Sequence, residues 1–198
     1  FIFRVMHYTI PTPEEIRPFL ATTLESTDLK GLGARYVGKV RDVYTRGQQS
    51  ILIATDRQSA FDIAWCTIPL KGQALNQISA WWFEQVKDIM PNHVIAVPDE
   101  NAMVVKKLEM LKVEIAVRAY LAGSTGTSAW VNYSKGVRDY CGNALPDGMV
   151  KNQKLASGPI ITPTTKGEHD DLIDPRGIID QGLATKRQWD EISDRALA

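Results

Sequence analysis

Cysteine, histidine and an excess of charge of one sign are all scarce in this chain, and each scarcity closes off a class of function. Cys66 and Cys141 are its only cysteines and three histidines its only imidazoles. None falls at metal-motif spacing, so neither a zinc site nor a disulfide framework is expected, and both thiols read as free groups of a reducing compartment. Lysine plus arginine (23) balances aspartate plus glutamate (23), which leaves no overall field to draw the chain to nucleic acid or an anionic membrane; an anion site must be local. No apolar run approaches membrane-spanning length, and the opening Phe1-Ile2-Phe3-Arg4-Val5-Met6-His7 is too short and interrupted for a signal peptide. A cytoplasmic protein is expected, without membrane or nucleic-acid partners. Internal repeats are absent, which removes solenoid and propeller architectures. The 198 residues are 44% hydrophobic, enough to bury a core in one large domain or two small ones.

Local signals divide the chain into elements. Thr12-Pro13-Glu14-Glu15 reads as a helix start with Thr12 as cap and Glu15 closing a capping box, and Pro18 keeps that helix short or kinked. Tyr36-Val37 and Ile51-Leu52-Ile53-Ala54 read as strands around a glycine turn, and residues 55–62 as a polar strand-end loop. From Gln73 to about Ile89, Leu75, Ile78, Trp82, Val86 and Ile89 recur at helical spacing and predict one core-facing stripe, stopped by Pro91. Val94–Val97 and Met103–Val105 read as short strands. Val113, Ile115 and Val117 alternate with Glu114, Ala116 and Arg118, which sets Arg118 opposite the apolar face. A small-residue turn, Ala122-Gly123-Ser124-Thr125-Gly126, precedes a helix around Ser128–Tyr133. Residues 135–167, rich in glycine and proline, read as mostly loop. Thr185 and Gln188 form a second capping box before a last helix bearing Trp189 and Ile192. The joint between two domains is expected near Leu111.

The centre of the chemistry is placed at Gly38-Lys39-Val40-Arg41-Asp42-Val43-Tyr44. A glycine turn can hold N–H groups toward a phosphate, and Lys39 and Arg41, two apart on a strand, would point to one side. The P-loop spacing is missing, so by itself this pair equally describes a solvated hairpin.

Four segments occur together: Gly38-Lys39-Val40-Arg41-Asp42; Asp56-Arg57-Gln58-Ser59-Ala60-Phe61-Asp62; Val117-Arg118-Ala119-Tyr120-Leu121-Ala122-Gly123-Ser124; and Thr162-Pro163-Thr164-Thr165-Lys166-Gly167-Glu168-His169-Asp170. In order and spacing they closely resemble the SAICAR synthetase family, the phosphoribosylaminoimidazole-succinocarboxamide synthases of purine biosynthesis in their longer form, over nearly the whole chain. The resemblance implies an α+β, SAICAR synthase-like fold of two lobes. Residues 1–111 would form a kinase N-lobe-like small lobe with the glycine-containing phosphate loop, and 112–198 the beginning of an ATP-grasp-like larger lobe. It also implies a ligase that uses ATP and Mg2+ to join the carboxylate of an aminoimidazole ribonucleotide (CAIR) to the amino group of L-aspartate. Such a reaction gathers phosphates and carboxylates, and needs cations and N–H groups more than a nucleophile.

Carried onto this chain, the resemblance implies ATP binding by Gly38, Lys39, Arg41, Lys106, Leu108 and Glu109, with Lys106 as the strand lysine of a kinase and 107–109 as the hinge under adenine. Ser59, Asp62, Arg118, Ser124, Lys166 and Glu168 would hold substrate, with Arg118 as a two-pronged clamp. Lys166 and Asp170 would be catalytic. Competing readings stay open: a snorkelling surface lysine for Lys106, an inter-lobe ion pair for Arg118, a loop hydrogen-bonder for His169, and mutual pairing for Asp56 and Arg57. A non-catalytic nucleotide-binding module shares the ATP half, as does a kinase-like phosphotransferase, although the His-Arg-Asp and Asp-Phe-Gly motifs of the latter are absent.

Ala119, Thr164 and Gly167 depart from the family pattern by small-for-small changes. The family's later Asp-Thr-Lys-x-Glu-Phe-Gly stretch, a source of magnesium carboxylates, does not occur, so the metal ligands stay unassigned. Asp56, Asp62, Glu168, Asp170, Asp171 and Asp174 are the loop carboxylates that could substitute. The chain is therefore expected to stop early, to leave the Trp189 and Ile192 stripe uncovered, and to make no SAICAR from ATP, aspartate and CAIR by itself. Magnesium-dependent product at a rate near that of a full-length homologue would place the metal site within these residues.

Overall fold

The computed structural model describes residues 12–60, 63–167 and 170–198, in two compact units divided after Leu108. In the first unit the Thr12 hydroxyl accepts from the Glu15 N–H and the Glu15 carboxylate accepts from the Thr12 N–H, opening α1 (Pro13–Ile16) as a capping box. Pro18 then turns the chain into a 3-10 helix, Arg17–Ala21, because proline cannot supply the N–H that a continued α-helix needs. After an extended arm come β1 (Ala34–Val37), β2 (Arg41–Arg46), β3 (Gln49–Ala54), β4 (Arg57–Ala60) and β5 (Ile63–Thr67), then α2 (Lys71–Gln85), β6 (Val94–Asp99) and β7 (Ala102–Lys106). The main sheet is antiparallel with order β1-β2-β3-β7-β6, and β4 pairs with β5 apart from it. Pro98 lies in β6 at the sheet edge, where a missing donor is tolerated.

Two expectations change here. Residues 57–60 are strand rather than loop, since β5 returns to pair with them. The periodic face of α2 also points the other way: Leu75, Ile78 and Trp82 are 44–55% exposed, while Gly72 and Asn76 are buried. The helix docks through its narrow side. A Cβ on Gly72 would lie 2.3 Å from the Ala54 carbonyl, and Asn76 donates to the Glu100 carbonyl at 3.0 Å. Its start is capped from outside, by the Asp56 carboxylate accepting from the Gly72 N–H at 2.8 Å, a favourable place for negative charge.

The second unit, Glu109–Ala198, contains β8 (Val113–Arg118), α3 (Ala129–Ser134), β9 (Asp139–Tyr140), β10 (Asn143–Ala144), β11 (Ile160–Thr165), α4 (Pro175–Asp180) and α5 (Lys186–Leu197). β11 corrects the loop expected over 135–167: it pairs antiparallel with β8 despite Pro163, whose carbonyl accepts from the Ile173 N–H at 3.2 Å. One core gathers Leu121, Tyr133, Tyr140, Leu145 and Leu155, and another Ile173, Ile178, Ala184 and Trp189. Trp189, expected to need a partner from elsewhere, finds it inside this unit. Among the described residues no helix is long and apolar enough to cross a membrane.

The first unit is knotted together at Asp42, whose side chain is fully buried in β2. It accepts from the Thr27 N–H (2.7 Å) and hydroxyl (2.9 Å), from Arg35 (3.2 Å) and from Arg57 (2.8 Å). Burial opposes its charge, but the hydrogen bonds from Thr27, Arg57 and Arg35 outweigh burial and hold the carboxyl below its usual range. With the folded value below the unfolded 3.8, this stabilisation is present above the unfolded value and is lost as pH falls through the folded one. The melting temperature should therefore fall in acid below that value, and Asp42→Asn should flatten the fall while costing about 3 kcal/mol at neutral pH, the order for breaking a buried pair. Equal acid slopes in the two proteins would assign the sensitivity to other groups.

Candidate functional site

The turn between β1 and β2 is held from behind by one side chain. Arg57, on β4, donates through Nε to the Lys39 carbonyl (3.1 Å) and through Nη2 to the Gly38 carbonyl (3.0 Å) and Asp42 (2.8 Å), while Nη1 donates to the Glu25 carbonyl. The next carbonyl, of Val40, accepts from the Thr55 N–H (3.1 Å) and hydroxyl (2.9 Å). A trans peptide sets its N–H opposite its C=O. With the carbonyls of Gly38, Lys39 and Val40 drawn to Arg57 and Thr55, the N–H groups that follow them turn the other way. An open cleft of about 350 Å³ lies here, with Gly38, Lys39, Arg57 and Ser59 among its lining residues. Three of the expected site residues, Gly38, Lys39 and Ser59, are thus brought together.

Lys39 stands in the bend and Arg41 opens β2, so the alternation that would put both on one side does not apply. Arg41 is exposed; the His93 imidazole is held below its usual range by burial first and then by the Arg41 charge. Lys106 ends β7 opposite Gln49, whereas Arg41 lies opposite Ala54 at the other end of β3. The four steps from Ala102 to Lys106 span about 14 Å at roughly 3.4 Å each. The two lysines thus stand toward opposite ends of the sheet. Leu108 closes the first unit, 56% exposed, and Glu109 opens the second.

Asp56 and Arg57 do not pair with each other. Asp56 accepts from the Leu24 and Gly72 N–H groups, both at 2.8 Å, and Arg57 takes Asp42. Asp174 caps α4 through the Gly177 N–H at 2.6 Å. Among the described residues no group of three or more His, Cys, Asp or Glu could hold a metal ion, so these residues do not build a magnesium cage. Asp62, Glu168 and His169 lie outside the described residues.

In the second unit Arg118 donates through Nε to the Thr162 hydroxyl (2.9 Å), which donates onward to the Ala116 carbonyl (3.0 Å). The cross-strand hydroxyl fixes the plane of the guanidinium. Tyr140 lies beside it, its phenol pushed up by burial and drawn partly back by the Arg118 charge. Ser124 is exposed in the turn that precedes α3. Lys166 pairs with Glu114 and with Asp170 (3.1 Å), and these two carboxylates, Glu114 first, hold its ammonium above the usual range. Lys166 and Asp170 are thus together as expected, joined by Glu114, which alternation alone marks only as a polar strand residue. Arg57, Thr162 and Tyr140 carry no local signal either, because their partners are distant in sequence.

The sheet order, the clamped glycine turn and the second mixed unit define an α+β protein of the SAICAR synthase-like fold. The SAICAR-synthase from Saccharomyces cerevisiae complexed with SAICAR matches it with a TM-score of 0.75 at 27% identity, over 88% of this chain and 63% of that one. The family model for SAICAR synthetase matches residues 34–198, and the chain belongs to that family. A phosphoribosylaminoimidazole-succinocarboxamide synthase of Legionella pneumophila (strain Lens) is 54% identical over 166 residues, 83% of this chain and 53% of the relative. A chloroplastic one of Vigna aconitifolia is 50% identical over 178 residues, 89% of this chain and 52% of the relative. The chain spans about half the length of these curated relatives.

A second cleft, of about 430 Å³, is lined in part by Asp139, Tyr140, Cys141 and Asp174. Burial pushes the Cys141 thiol up to about 11, while Cys66 is exposed on β5. Only a thiolate alkylates readily, so iodoacetamide at about pH 8 should label Cys66 first and Cys141 only on unfolding. Equal labelling of the two in the folded protein, read by mass spectrometry, would contradict this environment for Cys141.

Proposed function

We propose that these residues carry the phosphate-facing and CAIR-facing parts of an ATP-dependent ligase that joins the CAIR carboxylate to L-aspartate, giving SAICAR, ADP and phosphate. The observation that carries the reading is the cleft at the clamped glycine turn, which brings Gly38 and Lys39 together with Ser59 in a chain of zero net charge. Family membership supports the same reading.

In this account a CAIR carboxylate oxygen takes the γ-phosphoryl group and ADP departs. The aspartate amine then attacks the acyl carbon, phosphate leaves with the bonding pair, and the amine loses its proton. Lys39 and the turn amides hold the phosphates, with Arg41 near the same end of the sheet. Lys106 and Leu108, at the other end, take the base and ribose side of an extended nucleotide, and Glu109 continues the hinge. Ser59 reaches substrate from β4, and Asp62 is assigned to the same substrate on the family resemblance. Arg118, its plane set by Thr162, clamps the phosphate or carboxylate of CAIR, with Ser124 serving the same ligand and Glu168 assigned to it on the family resemblance. Lys166 offsets charge on the acyl phosphate, and Glu114 and Asp170 keep it protonated and aimed. Magnesium, when bound to ATP, supplies charge neutralisation at the phosphates.

In the full-length protein Lys39→Met should raise the ATP KM about tenfold, the loss of one charge-assisted contact, without lowering the melting temperature. Arg118→Lys keeps the charge and loses the fork, and should weaken CAIR binding about tenfold with ATP binding unchanged. Unchanged kinetics in Lys39→Met would return the turn to a structural role. Unchanged CAIR affinity with a large loss of stability in Arg118→Lys would make that arginine a packing group.

A further inference from the structure

We infer that Arg57 is a positioning residue for nucleotide phosphates, acting through the backbone of the glycine turn and not as a ligand; this rests on reading that turn as the phosphate site. Although Arg57 borders the cleft, four of its five N–H donors are already engaged, by Asp42 and by the carbonyls of Glu25, Gly38 and Lys39. Its charge is matched by a fully buried carboxylate, and its own side chain is only 12% exposed. An arginine so committed has little left to offer a phosphate.

Those donors do something else. Two of them capture consecutive carbonyls of the turn, and a planar trans peptide then has no choice about where its N–H points. Preorganised N–H groups are worth most when they need not reorient as charge arrives. The residue is itself held at both ends, its guanidinium by Asp42 and its backbone carbonyl by the Lys71 ammonium at 2.9 Å. A lysine at position 57 could keep the Asp42 pair, but a single ammonium lacks the planar fork that spans both carbonyls.

The test is calorimetry on the full-length protein with two probes, ATP and adenosine, in the wild type, Arg57→Lys and Lys39→Met. Arg57→Lys should lower ATP affinity about tenfold, as for one lost hydrogen bond to a charged group, and leave adenosine affinity unchanged. Equal loss for both probes would make Arg57 a general scaffold residue and overturn the inference. So would ATP affinity that is unchanged in Arg57→Lys while the melting temperature falls. Lys39→Met separates the premise from the inference: if it leaves ATP affinity intact, the turn is not the phosphate site, whatever Arg57 does.

Discussion

The ion pair between Asp42 and Arg57 is the interaction on which the first unit depends. Removing two charges from water is expensive, and the attraction between them offsets that only when every remaining lone pair and proton is also matched. Here most of them are matched, by backbone and by the Thr27 and Arg35 side chains. Asp42 is shared by Thr27, Arg35 and Arg57, and Arg57 is shared by three carbonyls from two further segments. A single buried pair therefore ties the extended arm before β1, the glycine turn and β4 to the face of one strand. The same arm is fastened again at Tyr44, whose hydroxyl accepts from the Leu29 N–H at 2.9 Å, and at Asp56, which accepts from the Leu24 N–H. Such a network converts a mobile kind of element, a hairpin turn, into one with a fixed direction for its amides.

In the proposed account that rigidity lets a chain with no net charge present an anion site. On that account the attraction for an anion rests on one lysine and on oriented peptide dipoles, not on an accumulation of basic residues. The sheet separates Lys39 from Lys106 along its length, so the cations that a motif reading groups together serve opposite ends of an extended ligand in the proposed account. In the second unit the same economy recurs, with the Thr162 hydroxyl setting the plane of Arg118 and two carboxylates flanking Lys166.

What the sequence made legible was whatever is settled within a few residues. Thr12 with Glu15 and Thr185 with Gln188 close their capping boxes inside one helical turn, and the hairpin around Gly38 follows from apolar runs flanking a glycine. What escaped depends on distant partners. β11 carries a proline and no clear alternation, yet it is a strand because β8 lies beside it. The stripe of α2 was real as a period and misleading as a direction, since Gly72 and Asn76 allow a closer approach to the sheet than Leu75 or Trp82 could. Lys106 was placed by motif order, but β7 inserts next to β3, and only that strand order shows which end of the sheet the lysine occupies. The site was half legible on the same terms: Gly38 and Lys39, expected at ATP, share a cleft with Ser59, expected at the substrate, whereas the contacts of Arg57 and Glu114 form only when strands far apart in sequence come together.

One buried pair sets the backbone of the arm and the turn as a unit, and amide hydrogen exchange reads this most directly. In the wild type the N–H groups of Leu24, Thr27, Gly38 and Thr55, each hydrogen-bonded in this network, should exchange slowly and with similar protection. In Arg57→Leu all of them should exchange faster together, while amides within β3 and β7 keep their protection. Loss of protection confined to residues next to position 57, with Thr27 and Gly38 unchanged, would contradict the account.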